Sequence, residues 1–123
     1  MRLLLDTHVL IWWDAGARLA PAAVRAIESA DEVLVSAASA WEIAIKMALG
    51  KLSASRALAD VITECGFAEL PVLVRHTPLL ATLPPLHRDP FDRLLVAQAM
   101  ADRLTLVTRD PQVRQYKVRT IAA

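Results

Sequence analysis

The chain has one cysteine, Cys65, among 123 residues. A single thiol excludes an intramolecular disulfide and any zinc site built on a cysteine cluster. A reducing, cytoplasmic setting is the expectation that follows. Late in a helical stretch and just before Gly66, Cys65 reads as a small apolar residue. No apolar run reaches the ~18 residues of a membrane span. The amino-terminal apolar segment contains Asp6 and His8 and lacks a small-residue cleavage site, so it is a poor signal peptide. An excess of either charge is also missing, since 14 Lys and Arg against 13 Asp and Glu leave a net charge of +1. A strongly basic nucleic-acid binder is not announced, although a local basic rim would suffice for one. Repeats, low-complexity tracts and linkers are absent as well.

What is present is apolar: hydrophobic residues make up 55% and the mean hydropathy is +0.38. Residues 1–123 suffice for one domain with a substantial core. The apolar excess predicts a covered surface, either a homodimer face or a groove for a partner.

Met1-Arg2-Leu3-Leu4-Leu5-Asp6-Thr7 is an apolar run ending in a carboxylate. Three leucines without alternation predict a strand covered on both faces. Helices are predicted over His8–Asp14, from Pro21 to about Ala30, and over Ala40–Leu49 with Gly50 as terminator. Ser36 and Ser39 are both possible N-caps for the third. A further helix starts at Ala54 or Ser55 and closes at Gly66 after Cys65. Thr77-Pro78 opens a short helix to Leu83, Pro84-Pro85 forces an irregular connection, and a strong helix runs from Phe91 to about Arg103. Asp110-Pro111 starts a last short one. Strands are predicted at Val33–Val35, Ala68–Val72 and Leu104–Thr108, with an edge strand over Lys117–Ile121. This alternation predicts a three-layer α/β/α sandwich around a mostly parallel sheet.

Four carboxylates fall at element ends. Asp6 follows the first strand, at the sheet edge where open α/β proteins bind ligands; it also suits an N-cap. Glu42 lies in the first turns of a helix after a buried strand, past the cap position, and its i,i+4 spacing to Lys46 also fits a helix-surface pair worth ~0.3–0.5 kcal/mol. Asp89 directly precedes Pro90 as a cap would, which leaves Asp92 in the first turn free to face a cleft or to favour the helix dipole. Asp110 follows the strand ending at Thr108 and again doubles as a cap. Carboxylates gathered without a counterion repel and raise one another's pKa. A divalent cation removes that penalty, and Mg²⁺ favours such oxygen-rich sites. Bound metal activates water and neutralises charge on a phosphodiester. Thr7, Ser39 and Thr108 are the expected donors orienting the carboxylates. His8, His76 and His87 are too dispersed along the chain for a histidine-based site to be inferred.

Leu3-Leu4-Leu5-Asp6-Thr7-His8-Val9-Leu10, Ser36 to Lys46 with Trp41-Glu42-Ile43, Asp89-Pro90-Phe91-Asp92-Arg93-Leu94-Leu95-Val96-Ala97-Gln98-Ala99, and Leu106-Val107-Thr108-Arg109-Asp110 together resemble PIN domains. More closely, the chain resembles VapC-type toxins of type II toxin–antitoxin pairs, with the four motifs in the family's order over essentially the full length. The resemblance implies a single PIN-like domain and a ribonuclease using Mg²⁺ or Mn²⁺, with Asp6, Glu42, Asp92 and Asp110 as the catalytic, metal-binding set. Asp110 occupies the least uniform motif position. The resemblance also implies homodimers, and a small antitoxin whose carboxyl-terminal segment lies across the catalytic groove. Trp12 and Trp13 are candidate anchors for it; plain core packing is the alternative for both, and explains Trp12 equally simply. Arg88, Arg93 and Arg109 are the nearest basic residues and suit RNA-phosphate contacts, although Arg93 also fits a structural ion pair.

A haloacid dehalogenase-type enzyme also begins with a strand ending in Asp, but expects a second Asp where this chain has His8. The non-enzymatic alternative is a PIN-like RNA-binding or protein-interaction module. Four mutually repelling carboxylates count against it.

Overall fold

A strand can bury consecutive leucines only if a layer covers each side of it. The computed structural model of the protein, which describes residues 1–53 and 56–123, supplies both layers. In chain order the elements are β1 (Arg2–Leu5), α1 (Thr7–Asp14), α2 (Pro21–Ser29), β2 (Glu32–Ser36), α3 (Ala37–Ala48), α4 (Leu58–Cys65), β3 (Ala68–Leu70), α5 (Pro78–Thr82), α6 (Pro90–Asp102), β4 (Thr105–Thr108) and β5 (Thr120–Ala122). The helix start expected at Ala54 or Ser55 lies outside the described residues. The expected strand over Ala68–Val72 stops at Leu70, because Pro71 has no N–H to continue a ladder. A single 3₁₀ turn over Val113–Gln115 stands where a last helix was expected after Asp110-Pro111.

The sheet order is β3-β2-β1-β4-β5, and every pairing in it is parallel. Expected as mostly parallel, the sheet is parallel throughout. Leu3, Leu4 and Leu5 are all fully buried. Leu3 and Leu5 enter a core with Val9 and Leu10 of α1, Ala23 and Ile27 of α2, and Val61 and Ile62 of α4. Leu4 enters the opposite core, with Leu34, Leu106, and Leu95, Val96 and Ala99 of α6. Each such leucine contributes about 1.5–3 kcal/mol by burial. α3 packs against both α1 and α6. Gly66 ends α4 in the left-handed region at φ 70°, where glycine is unstrained. Arg103 does the same for α6 at φ 56°, without that freedom.

Chain direction reverses around β1. From β1 the chain moves outwards through β2 to β3, then crosses back to place β4 on the other side of β1. The carboxyl ends of β1 and β4 therefore flank the switch point, where α/β sheets open a crevice. Because α6 returns the chain to the start of β4, its amino terminus lies at that same edge.

Candidate metal centre

Asp6 fills both roles open to it. As the N-cap of α1 its Oδ1 accepts the His8 N–H at 2.8 Å, while Oδ2 accepts the Thr108 hydroxyl at 2.7 Å. Burial pushes the Asp6 carboxyl up, but the bonds from His8 and Thr108 outweigh it and hold the group below the usual carboxylate range. Asp6 thus stays ionised although only 5% exposed. Its carboxylate in turn raises the His8 imidazole.

Asp89 caps α6 by accepting the N–H groups of Phe91 at 2.8 Å and Asp92 at 3.3 Å. With the cap supplied, the Asp92 carboxylate turns to the cleft. Burial first, then the charges of Asp6 and Asp89, lift it to about 7; His87 opposes the shift and Glu42 adds to it. This is the repulsion expected of gathered acids lacking a counterion. Asp110 serves as a cap-like residue too: its Oδ1 accepts the Gln112 N–H at 2.8 Å and its own N–H donates to Thr108 Oγ1 at 3.1 Å. Asp6, His8, Trp12, Asp92, Arg109 and Asp110 line a cleft of about 300 Å³.

Glu42 does not line that cleft, yet its charge acts on both His8 and Asp92. Lys46 pairs with its Oε2 at 3.2 Å, so the i,i+4 ion pair expected from spacing does form. Oε1, however, is buried and accepts nothing among the described residues. A buried carboxylate oxygen without a donor costs roughly 1–3 kcal/mol or more, and a cation ligand is what such an atom lacks. The residues therefore fit a hard divalent ion.

Thr108 donates to Asp6 and so fixes the direction of that carboxylate. Thr7 and Ser39 do not reach a carboxylate in that way: the Thr7 hydroxyl donates to Ser39 Oγ at 2.8 Å, both being buried where α1 meets α3. They couple the helix after Asp6 to the helix carrying Glu42. Of the two roles open to Arg93, its contacts fit the structural one. Its Nη1 donates to Pro84 O at 3.0 Å and Tyr116 Oη at 3.1 Å, and its Nη2 to Leu80 O at 3.2 Å and Leu83 O at 3.4 Å. These carbonyls and the phenol occupy four of its five N–H donors, so it braces the connection into α6. Arg109 stays at the cleft, its guanidinium 4.1 Å from the Trp12 ring centroid, with Nε held by Ala123 O and Nη2 by Arg18 O. Arg88 is exposed beside His87.

Two histidines belong to the site after all. His8 lines the cleft, and His87 places Nε2 at 2.7 Å from Asp110 Oδ2 and 3.1 Å from Asp92 Oδ2. His87, Asp92 and Asp110 each offer an atom within 4.8 Å of the others. His76 instead joins a buried chain, bonding Asp102 at 3.1 Å and neighbouring Gln98, which holds Ser36. Trp13 packs on Phe67 against the core and Trp12 lies under Arg109, whereas Trp41 on α3 is 62% exposed, with Ile45 and Leu49 following at helical spacing.

Fold and site define a parallel α/β protein with an acidic cleft at its switch point, suited to a hard cation. The chain belongs to the PIN-domain family, which it matches over residues 3–119. It is similar to Ribonuclease VapC22 of Mycobacterium tuberculosis, with 37% identity over 123 residues that cover 94% of this chain and 92% of that one. Its fold is similar to that of VapBC from Salmonella typhimurium in a DNA-bound crystal structure, at a TM-score of 0.72 and 16% identity, covering 99% and 98% of the two chains. VapBC2 from Rickettsia felis, bound to a promoter DNA fragment, matches at a TM-score of 0.70 and 13% identity over the same shares. Among the described residues no helix is long and apolar enough to cross a membrane.

Proposed function

We propose that this chain is a divalent-metal-dependent endoribonuclease and the toxin of a toxin–antitoxin pair. The observation that carries the reading is the half-satisfied acidic cluster: Glu42 Oε1 is buried without a partner, and Asp92 is lifted to about 7 beside an ionised Asp6. Asp6, Glu42 and Asp92 would hold Mg²⁺ or Mn²⁺, with Asp110 at the rim. When bound, such an ion lowers the pKa of water and neutralises the charge developing on a phosphodiester. The chain's own residues do the rest. Thr108 and the His8 N–H fix Asp6 in one orientation, and the cap at Asp89 frees Asp92 to face the cleft. Arg109, clamped over Trp12, offers its remaining N–H groups to a phosphate that would otherwise be repelled by the acids.

The ribonuclease name of the Mycobacterium tuberculosis relative supports RNA as substrate, and the VapBC assemblies support an antitoxin partner. A largely apolar cavity of about 220 Å³, lined by Leu10 and Ile11 of α1, Ile43 and Met47 of α3 and Leu58 and Val61 of α4, would suit apolar side chains of that partner. The exposed Trp41, Ile45 and Leu49 stripe would suit a homodimer contact.

The test is cleavage of total cellular RNA by the purified, antitoxin-free chain with Mn²⁺, with Mg²⁺ and with EDTA. Asp6→Asn protein prepared identically controls for contaminating nuclease. Discrete products that need metal and vanish in the variant are expected. Equal products from both proteins, or none from the wild type with metal bound, would favour a PIN-like binding module.

A further inference from the structure

His87, Asp92 and Asp110 have the spacing of a metal-ligand trio, but the hydrogen bonds around the imidazole assign His87 a different part. Its Nδ1 accepts the Asp89 main-chain N–H at 3.0 Å. A ring nitrogen that accepts carries no proton, so in the neutral ring the proton is on Nε2. That N–H faces Asp110 Oδ2 at 2.7 Å and Asp92 Oδ2 at 3.1 Å. Nε2 therefore has no lone pair to give a cation, and freeing one would set a protonated Nδ1 against the Asp89 N–H.

The ring is also held in place. The His87 main-chain N–H donates to Tyr116 Oη at 3.0 Å, and the same oxygen accepts from Arg93. Arg93 in turn grips the carbonyls of Leu80, Leu83 and Pro84, just before His87. The side chain is 11% exposed, so water does not compete strongly for its N–H.

We infer that His87 is a positioning residue of the metal centre: one N–H, shared by Asp92 and Asp110, draws the two carboxylates together while leaving the site all-oxygen. The inference rests on the metal reading above and deepens it. Two consequences separate it from direct ligation. Outer hydrogen-bond partners of metal ligands typically carry 10–100-fold in affinity. And a site without a nitrogen donor keeps the preference of hard carboxylates for Mg²⁺ and Mn²⁺, where an imidazole ligand would favour zinc, nickel or copper.

The experiment uses the full chain and Mn²⁺ as probe. Pulsed electron paramagnetic resonance of the Mn²⁺-loaded wild type is expected to show no directly bonded ¹⁴N, and this reading needs no variant to fold. Mn²⁺ titration of His87→Phe, checked by circular dichroism, is expected to show affinity lower by ~10–100-fold. His87→Gln, whose amide can restore one N–H, is expected to recover most of it. A directly bonded ¹⁴N in the wild type that disappears in His87→Phe overturns the inference, as does a His87→Phe protein that binds Mn²⁺ like the wild type. Neither result touches the acidic metal site itself. That reading fails separately, and takes this inference with it, if wild type binds no Mn²⁺ or if Asp92→Asn binds it equally well.

Discussion

Lys46 satisfies only half of Glu42: its ammonium lies 3.2 Å from Oε2, while Oε1 of the same carboxylate is buried and unpartnered. The Glu42 side chain is 6% exposed and that of Lys46 31%, so this is a partly buried pair. Removing the cation leaves the anion uncompensated. Lys46→Met is expected to destabilise the metal-free protein by about 1–3 kcal/mol, less than a fully buried pair because Lys46 still meets water. Saturating Mn²⁺ should return most of that loss, since it supplies the missing charge. Thermal melts of both proteins with and without Mn²⁺ check this; a deficit unchanged by metal would place Glu42 outside the metal site.

Asp92 makes the metal-free protein pH-sensitive. Its folded carboxyl titrates near 7 against an ordinary 3.8. Between those values the native state holds a proton that the unfolded chain releases. The stability from that protonated group is complete below about pH 4 and is lost as pH rises to about 7. Asp92→Asn removes the titration. It should stabilise the metal-free chain at pH 7.5 by on the order of 1–2 kcal/mol, discounted for partial solvent screening, and match wild type near pH 3.5. Equal melting at pH 7.5 in EDTA would contradict the crowding of charge described for this cleft.

Thr108 serves two acids at once, donating to Asp6 Oδ2 at 2.7 Å and accepting from the Asp110 N–H at 3.1 Å. Thr108→Val keeps the shape and deletes both bonds. A loss of about 1.5–3 kcal/mol is expected, as for a hydrogen bond to a charged group. Mn²⁺ affinity should fall ~10–100-fold. Calorimetric titration and chemical denaturation give the two numbers; a variant that loses stability but binds metal normally would reduce Thr108 to packing.

Two arginines near the cleft should respond in opposite ways. Arg109→Ala removes a rim cation, so RNA binding should weaken and its salt dependence fall by about one phosphate contact. Arg93→Lys cannot bridge the Leu80, Leu83 and Pro84 carbonyls and Tyr116 with one ammonium. Its expected signature is lower melting temperature and slower cleavage with the salt slope intact. Filter binding across a salt series separates them, and a reduced slope in Arg93→Lys would return that residue to the phosphate-binding rim.

The sheet and its acidic edge were legible because both follow from chain order. Leu3-Leu4-Leu5 can be read as doubly covered without knowing what covers it, and Asp6 directly after it has one place to go. Asp92 was readable through Asp89-Pro90, which identifies the cap and leaves the next acid free. His87 left no comparable signal. It sits in an irregular stretch after two prolines, and its Nε2 partner Asp110 is 23 residues away. The same holds for Thr7 with Ser39, 32 residues apart, and Ser36 with Gln98, 62 apart. Periodicity assigns a residue to a face; it does not say which hydroxyl there meets which. Arg93 is ambiguous in sequence for a related reason: a guanidinium beside an acidic motif suits a phosphate or a structural contact equally, and only the fold brings the turn carbonyls to it.

Asp6 and Thr108 meet across 102 residues, with β1 and β4 as immediate neighbours in the sheet. A ribosome emits β1 early and must hold it unpaired on one side until β4 emerges, a long wait by the standards of local folding. A nascent chain that has passed Asp92 but not Thr108 carries Asp6, Glu42 and Asp92 and has neither Thr108 to aim the first nor Asp110 beside them. Pairing of β4 with β1 and fixing of the Asp6 carboxylate by Thr108 are therefore one event, so the acidic edge takes its final geometry only once β4 docks.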